Sequence, residues 1–304
     1  MVELAISLGN VAFQNPVFVA SGTFGYGQEA SELVDVNRLG AVITKSITPE
    51  ERAGNPQPRI AELPAGMLNS IGLANVGVDR FIREKLPFLR DLTTRVIVNV
   101  AGKTEDEFVQ VVEKLEAESG IDGYELNFSC PNVREGGLEF SQHPEVTERL
   151  TRRVREITER LLIIKLTPNI TDIAPVAAAA ERGGANALSL INTVQGMAVD
   201  IESFRPRINT VIGGYSGPAI KPIALAKVYQ ARQATALPLI GIGGILDYKD
   251  AVEFFLAGAT AVQVGTANFI DPRTGIMIVD GLHQFLERKG LKRIQELVAA
   301  LRTE

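Results

Sequence analysis

The chain of 304 residues holds a single cysteine, two histidines and no tryptophan. One cysteine excludes an intrachain disulfide and makes a reducing cytoplasm the expected compartment. That cysteine, with His143 and His283 far apart in sequence, supplies no ligand set for a metal. Basic residues are in slight deficit, 31 Lys and Arg against 36 Asp and Glu. They form no stripe or cluster of the kind that holds nucleic acid or an anionic membrane. No apolar run reaches the roughly 18–20 residues of a membrane span. The start, MVELAISLGN, lacks a basic region and carries Glu3, so it does not read as a signal peptide. The absent tryptophan decides nothing. These absences leave a soluble, cytoplasmic protein, long enough to bury a large core as one domain over residues 1–304.

What is present is a recurring short apolar run. Eight such runs read as strands: Val17–Ala20, Ala41–Thr44, Arg95–Val100, Tyr124–Phe128, Leu162–Leu166, Ala187–Ile191, Leu239–Ile242 and Ala261–Val264. Several are continuously apolar, the pattern of strands buried on both faces. Amphipathic helical patterns lie between most of them. The clearest is 104-TEDEFVQVVEKLEAESG-120. Thr104 and Glu107 predict a capping box, Phe108, Val111, Val112 and Leu115 form one apolar face, and Gly120 closes the segment. Further helices are expected at about 144–160, 172–182, 221–234 and 247–257, with a C-terminal pair from about 280. This alternation predicts a (β/α)8 TIM barrel of α/β class, preferred over an open doubly wound sheet because eight units account for nearly the whole chain. Residues 3–13 predict a short N-terminal hairpin across the barrel bottom. Three long connections, about 46–90, 129–143 and 193–217, would lie over the C-terminal face, where long loops are usually functional.

A barrel carries its chemistry where the strands end. Those ends read 21-SGTFG-25, 44-TKS-46, Asn99, 127-NFSCPN-132, Lys165, 191-INT-193, 241-GIGGI-245 and 264-VGTAN-268. Singly each is weak, because asparagine is a common turn residue and lysine a common surface charge. Eight polar, small or glycine-rich ends on one face carry the argument together. The two late glycine-rich turns sit where barrels often bind a phosphate, and a following helix N-terminus would add its dipole. Neither GxGxxG nor a Walker motif is present, so the ligand expected is a mononucleotide-type phosphate. Flavin mononucleotide fits this, as would a sugar phosphate. Cys130 follows strand four, beside polar neighbours, Pro131 and a loop with Gly136 and Gly137. That setting reads as a thiol that exchanges a proton at the barrel mouth under a closing loop, and not as a core cysteine.

Taken together, 21-SGTFGYG-27, 45-KSIT-48, 69-NSIGLANVG-77, 127-NFSCPNV-133, 165-KLTPN-169, 191-INT-193, 216-SGPAIKP-222, 241-GIGGI-245 and 265-GTAN-268 resemble dihydroorotate dehydrogenases over nearly the whole chain. Within that family the double glycine of 132-NVREGG-137 resembles the class 1B, NAD-linked catalytic subunits. Class 2 enzymes use serine as base and carry a membrane-associating extension. Phe128 stands where the family commonly has an aliphatic residue.

The resemblance implies one FMN per chain and oxidation of (S)-dihydroorotate to orotate in de novo pyrimidine synthesis. Cys130 would be the base at C5 while hydride leaves C6 for flavin N5. Lys45, Asn69, Ser70, Ile71, Gly72, Leu73, Asn127, Asn192 and Thr193 would hold substrate. Ser21, Lys45, Ser46, Asn99, Asn127, Lys165, Ile191 and Gly217 would line the flavin, with Gly243, Gly244, Gly265 and Thr266 around its phosphate. Lys165 would stabilise negative charge on the reduced ring. Electrons must then leave the chain. One cysteine cannot hold an iron–sulfur cluster and no dinucleotide fingerprint binds NAD. The resemblance implies a partner subunit carrying FAD and a [2Fe–2S] cluster that reduces NAD+, around a homodimer of barrels, making a heterotetramer. Competing readings are an FMN enzyme of the dihydropyrimidine dehydrogenase type acting on uracil or thymine, a Schiff-base aldolase or lyase using Lys165, and a silent phosphate-ligand module.

Overall fold

The computed structural model describes residues 2–128 and 140–303. Eight strands, all parallel to their neighbours, close a barrel in sequence order: β1 (Val17–Val19), β2 (Ala41–Ile43), β3 (Arg95–Val100), β4 (Gly123–Asn127), β5 (Leu161–Lys165), β6 (Ala187–Leu190), β7 (Leu239–Ile242) and β8 (Ala261–Val264). The ring closes through β8 against β1, with Gln263 opposite Phe18. Every residue of β3 after Arg95, and every residue of β4 to β8, is buried. That explains their unbroken apolar runs: helices cover the outer face while side chains fill the inside.

The helices are α1 (Val78–Glu84), α2 (Leu86–Arg90), α3 (Glu105–Glu116), α4 (Pro144–Arg155), α5 (Ala174–Arg182), α6 (Lys221–Ala234), α7 (Tyr248–Ala257) and α8 (Thr274–Lys289). Several differ from expectation. Residues 46–90 are not simply a long loop, since they contain α1 and α2, which break at Lys85, with Pro87 in the first turn of α2. No α-helix joins β1 to β2, where a 3-10 turn at Val36–Arg38 stands instead. The C-terminal pair is one helix, α8, followed by a 3-10 turn at Ile294–Leu297. Thr104 does cap α3, accepting from the Glu107 N–H at 3.2 Å. The box is incomplete, because the Glu107 carboxylate reaches past it to the Lys103 N–H at 2.7 Å. The helix also ends at Glu116, ahead of Gly120.

At the bottom, Ile6–Leu8 pairs antiparallel with Val11–Phe13 as the expected hairpin. Ile6, Leu8 and Phe13 are buried beneath the barrel, and the Ala12 carbonyl accepts from Arg95 Nε at the start of β3. Over the opposite end lies a four-stranded antiparallel sheet ordered Val194–Met197, Ile212–Ser216, Gly66–Asn69, Ile60–Leu63. It joins the excursion after β2 to the excursion after β6, pairing Asn69 with Gly214 and Tyr215 with Val194. Ala61, Leu68, Ala198 and Ile208 give this cover a small core of its own. Among the described residues no helix is long and apolar enough to cross a membrane.

Candidate active site

Between barrel and cover lies a cavity of about 1020 Å³. Ligand cavities usually span roughly 300–1,000 Å³, so this one has room for a cofactor and a small substrate together. Ser21, Lys45, Ser46, Asn127, Lys165, Ile191, Asn192 and Thr193 reach it from the ends of β1, β2, β4, β5 and β6. Asn69, Ser70, Ile71, Gly72 and Leu73 descend from the cover. Gly217, Gly243, Gly244, Gly265 and Thr266 close the remaining wall. Two site residues named from the sequence stand apart. Cys130 lies outside the described residues. Asn99, the next-to-last residue of β3, is fully buried and is not among the side chains at the cavity surface. It accepts from Ser46 Oγ at 2.5 Å.

The polar wall is braced by its own bonds. Asn192 Nδ2 donates to Asn127 Oδ1 at 3.3 Å, and the Thr193 N–H donates to Asn192 Oδ1 at 2.8 Å. Asn69 Nδ2 donates to the Gly214 carbonyl at 3.1 Å, fixing the substrate-side loop to the cover. Leu73 holds φ at +56°, a left-handed conformation uncommon for a leucine and found where surrounding structure over-determines the backbone. Partial burial pulls the Lys45 ammonium below the ordinary lysine range; the Glu29 carboxylate offsets this and the Arg59 charge adds to it. Lys165 is almost fully buried, its Nζ 3.5 Å from Ser21 Oγ and 3.5 Å from Glu125 Oε1.

At the glycine turn after β7, Gly243 and Gly244 hold φ at +128° and +73°. Neither N–H is taken by a partner among the described residues. The pair thus offers two free backbone donors in a conformation that needs glycine, which is the chemistry of an oxyanion cradle. The helix that follows this turn, α7, has its N-terminus capped by the chain itself. Asp247 caps it, accepting from the Lys249 and Asp250 N–H groups, and Asp250 completes a capping box. Those carboxylates already satisfy the helix end, and Lys221 pairs with Asp250 at 2.7 Å.

Sequence reasoning missed several contributors. Asn169, Gln195 and Ser216 also line the cavity, and Ser216 Oγ accepts from Thr266 Oγ1 at 2.9 Å. Asn169 and Ser216 lie inside two of the quoted motifs, 165-KLTPN-169 and 216-SGPAIKP-222, and could have been found there. Glu125, in the middle of an apolar strand, is the larger omission. Phe128 turns away from the site, packed edge-on against Phe108 with centroids 5.6 Å apart, so its departure from the aliphatic pattern is absorbed in the helix layer.

A family model described as dihydroorotate dehydrogenase matches residues 3–286. The chain belongs to the dihydroorotate dehydrogenase family. Among curated relatives it is 50% identical over 297 residues to "Dihydroorotate dehydrogenase B (NAD(+)), catalytic subunit" of Caldicellulosiruptor saccharolyticus, covering 98% of each chain. It is 51% identical over 300 residues to the protein of the same name from Geotalea daltonii, covering 99% of this chain and 98% of that one. A crystal structure of the Eimeria tenella dihydroorotate dehydrogenase in complex with ferulenol superposes with a TM-score of 0.83 at 24% identity, over 98% of this chain and 88% of that one. That structure speaks for the barrel alone. The family and the barrel are those expected from the strand-end motifs, and the relatives do not favour the dihydropyrimidine or Schiff-base readings.

Proposed function

We propose that this chain is the FMN-binding catalytic subunit of an NAD-linked dihydroorotate dehydrogenase, oxidising (S)-dihydroorotate to orotate in pyrimidine synthesis. The observation that carries the reading is the single cavity in which the amide-rich loop 69–73, two lysines and the glycine turns meet. The donor set fits FMN. The free N–H groups of Gly243 and Gly244 would hold its phosphate together with Gly265 and Thr266, and Lys165, Ser21 and Ile191 would border the ring system. Bound FMN supplies the two-electron acceptor for the hydride that leaves C6.

The chain's own residues would do the rest. Asn69, Asn127, Asn192 and Thr193 present amide and hydroxyl groups that match the ring amides and carboxylate of orotate. Because these side chains bond to one another and to the cover, they meet the substrate already oriented. Lys45 sets a positive charge in the cavity wall for the substrate carboxylate. Its partial desolvation strengthens that attraction relative to water. Cys130 Sγ would take the C5 proton. A thiol of ordinary pKa is mostly protonated at neutral pH, so a cation beside it would raise the thiolate fraction.

For electron exit we propose a partner subunit bearing FAD and a [2Fe–2S] cluster that passes electrons to NAD+, in a cytoplasmic heterotetramer built on a homodimer of this chain. The name of the relatives, a catalytic subunit of an NAD(+) enzyme, supports a partner. The test is turnover of the purified FMN-loaded chain with an artificial dye acceptor. Orotate should form from dihydroorotate at a rate far above any product from dihydrouracil. Preferential turnover of dihydrouracil would overturn the substrate assignment.

A further inference from the structure

Beneath the cavity floor a carboxylate is sealed inside the barrel. Glu125, at the middle of β4, is fully buried. An ionised carboxylate so placed is costly unless donors surround it. Here three other strands of the barrel, β3, β6 and β8, supply them. Asn99 Nδ2 donates to Oε1 at 2.6 Å, and Ser189 Oγ and Gln263 Nε2 donate to Oε2 at 2.8 and 2.6 Å. Gln263 turns its N–H to the carboxylate although its own Oε1 then finds no partner among the described residues. Every neighbour offers a hydrogen, which is the environment of a carboxylate and not of a carboxylic acid. The remaining neighbour is Lys165, whose Nζ stands 3.5 Å from Glu125 Oε1 and which borders the cavity.

We propose that Glu125 is a positioning residue for the site: it is the counter-charge that lets Lys165 stand as a buried ammonium at the cavity floor. Through Asn99 it also orders Ser46, which lines the cavity above. The inference rests on the flavoenzyme reading, and its chemistry concerns charge. Without Glu125 the Lys165 side chain has no anion beside it among the described residues, and an unpaired charge is costly to keep in that buried place. The cavity then loses the positive charge that favours an electron-rich reduced ring.

Glu125→Gln keeps the volume and removes the charge. Its effect on the midpoint potential of bound FMN has a decisive sign. Acting through Lys165, the substitution lowers the potential, and FMN affinity falls at least tenfold. Glu125→Asp recovers part of both, and in a Lys165→Met background Glu125→Gln no longer lowers the potential. An unchanged potential would make Glu125 a scaffold only. A raised one would mean that it acts as a bare negative charge; either overturns the proposal. If Glu125→Gln does not fold, Glu125→Gln/Lys165→Met should fold, since both charges are gone; failure of the double variant overturns the pairing. If the unmodified protein takes up no FMN, the flavoenzyme reading itself has failed. Denaturant unfolding of the flavin-free single and double variants then still decides the pair, non-additive effects supporting it and additive ones refuting it.

Discussion

Replacing Gly244 by alanine tests how closely the backbone donors are held. Two costs are legible. The residue sits at φ +73°, and a left-handed non-glycine residue costs roughly 1–2 kcal/mol. The added Cβ would lie 2.7 Å from Lys221 Cβ and 2.9 Å from Lys221 N, at the first residue of α6. Such overpacking typically costs about 1–3 kcal/mol and is relieved by moving the loop. Gly290 provides the control, because it is also left-handed, at φ +68°, but a Cβ there meets nothing within 4 Å. Gly290→Ala should therefore cost about 1 kcal/mol, and Gly244→Ala about 2–5 kcal/mol, measured by denaturant unfolding of the flavin-free proteins. The displaced loop carries the N–H groups proposed for the phosphate. Gly244→Ala should thus weaken FMN binding at least tenfold, roughly 1.4 kcal/mol, in a fluorescence titration that Gly290→Ala leaves unmoved. Equal stability losses in the two variants, or an unchanged FMN affinity in Gly244→Ala, would refute the reasoning.

Other expectations concern the proton, the charge and two surface devices. Cys130→Ala should abolish orotate formation while FMN stays bound; wild-type rates would remove the thiol from the mechanism. Lys45 has its pKa lowered by burial. Orotate affinity that depends on its ammonium should be full at lower pH and decline as pH rises through a value below the usual lysine range. A decline confined to the ordinary lysine range or above, in a binding titration across pH, would contradict this. Asp247→Ala removes the α7 cap and should cost about 1 kcal/mol in unfolding. The Arg149 hydrogen bond leads in holding the Glu105 carboxyl below its ordinary range. Its contribution to stability should be present above the unfolded-state pKa and be lost as pH falls through the folded one. Glu105→Gln should flatten that acid limb while costing about 1 kcal/mol or less at neutral pH.

The barrel was legible because burial on both faces leaves a plain trace: β3, β7 and β8 have the bounds read from the sequence, and the other five differ by a residue at one or both ends. The cover sheet was not. Its strand Ile212–Ser216 reads IGGYS and Val194–Met197 reads VQGM, glycine-bearing and partly exposed, without the alternation or apolar run that marks a strand. What makes them strands is pairing: Ile212–Ser216 lies against Gly66–Asn69, more than a hundred residues away, and Val194–Met197 is held in turn by Ile212–Ser216. Site residues at strand ends could be read because the fold puts them on one face. Glu125 could not, since a lone acid in an apolar strand gains its meaning only from Asn99, Ser189, Gln263 and Lys165 around it. The bonds of Asn99 to Ser46 and Glu125 are likewise set only by the fold. Position along a strand is visible in sequence, but depth inside a barrel is not.

The central claim is that this one chain holds FMN and passes two electrons to it from dihydroorotate. Anaerobic titration of the purified chain with dihydroorotate, following the flavin absorbance and the orotate released, tests it most directly. The account predicts a yellow protein that bleaches, with about one orotate released for each flavin reduced. A colourless protein that takes up no FMN, or a yellow one that dihydroorotate leaves oxidised, would contradict it.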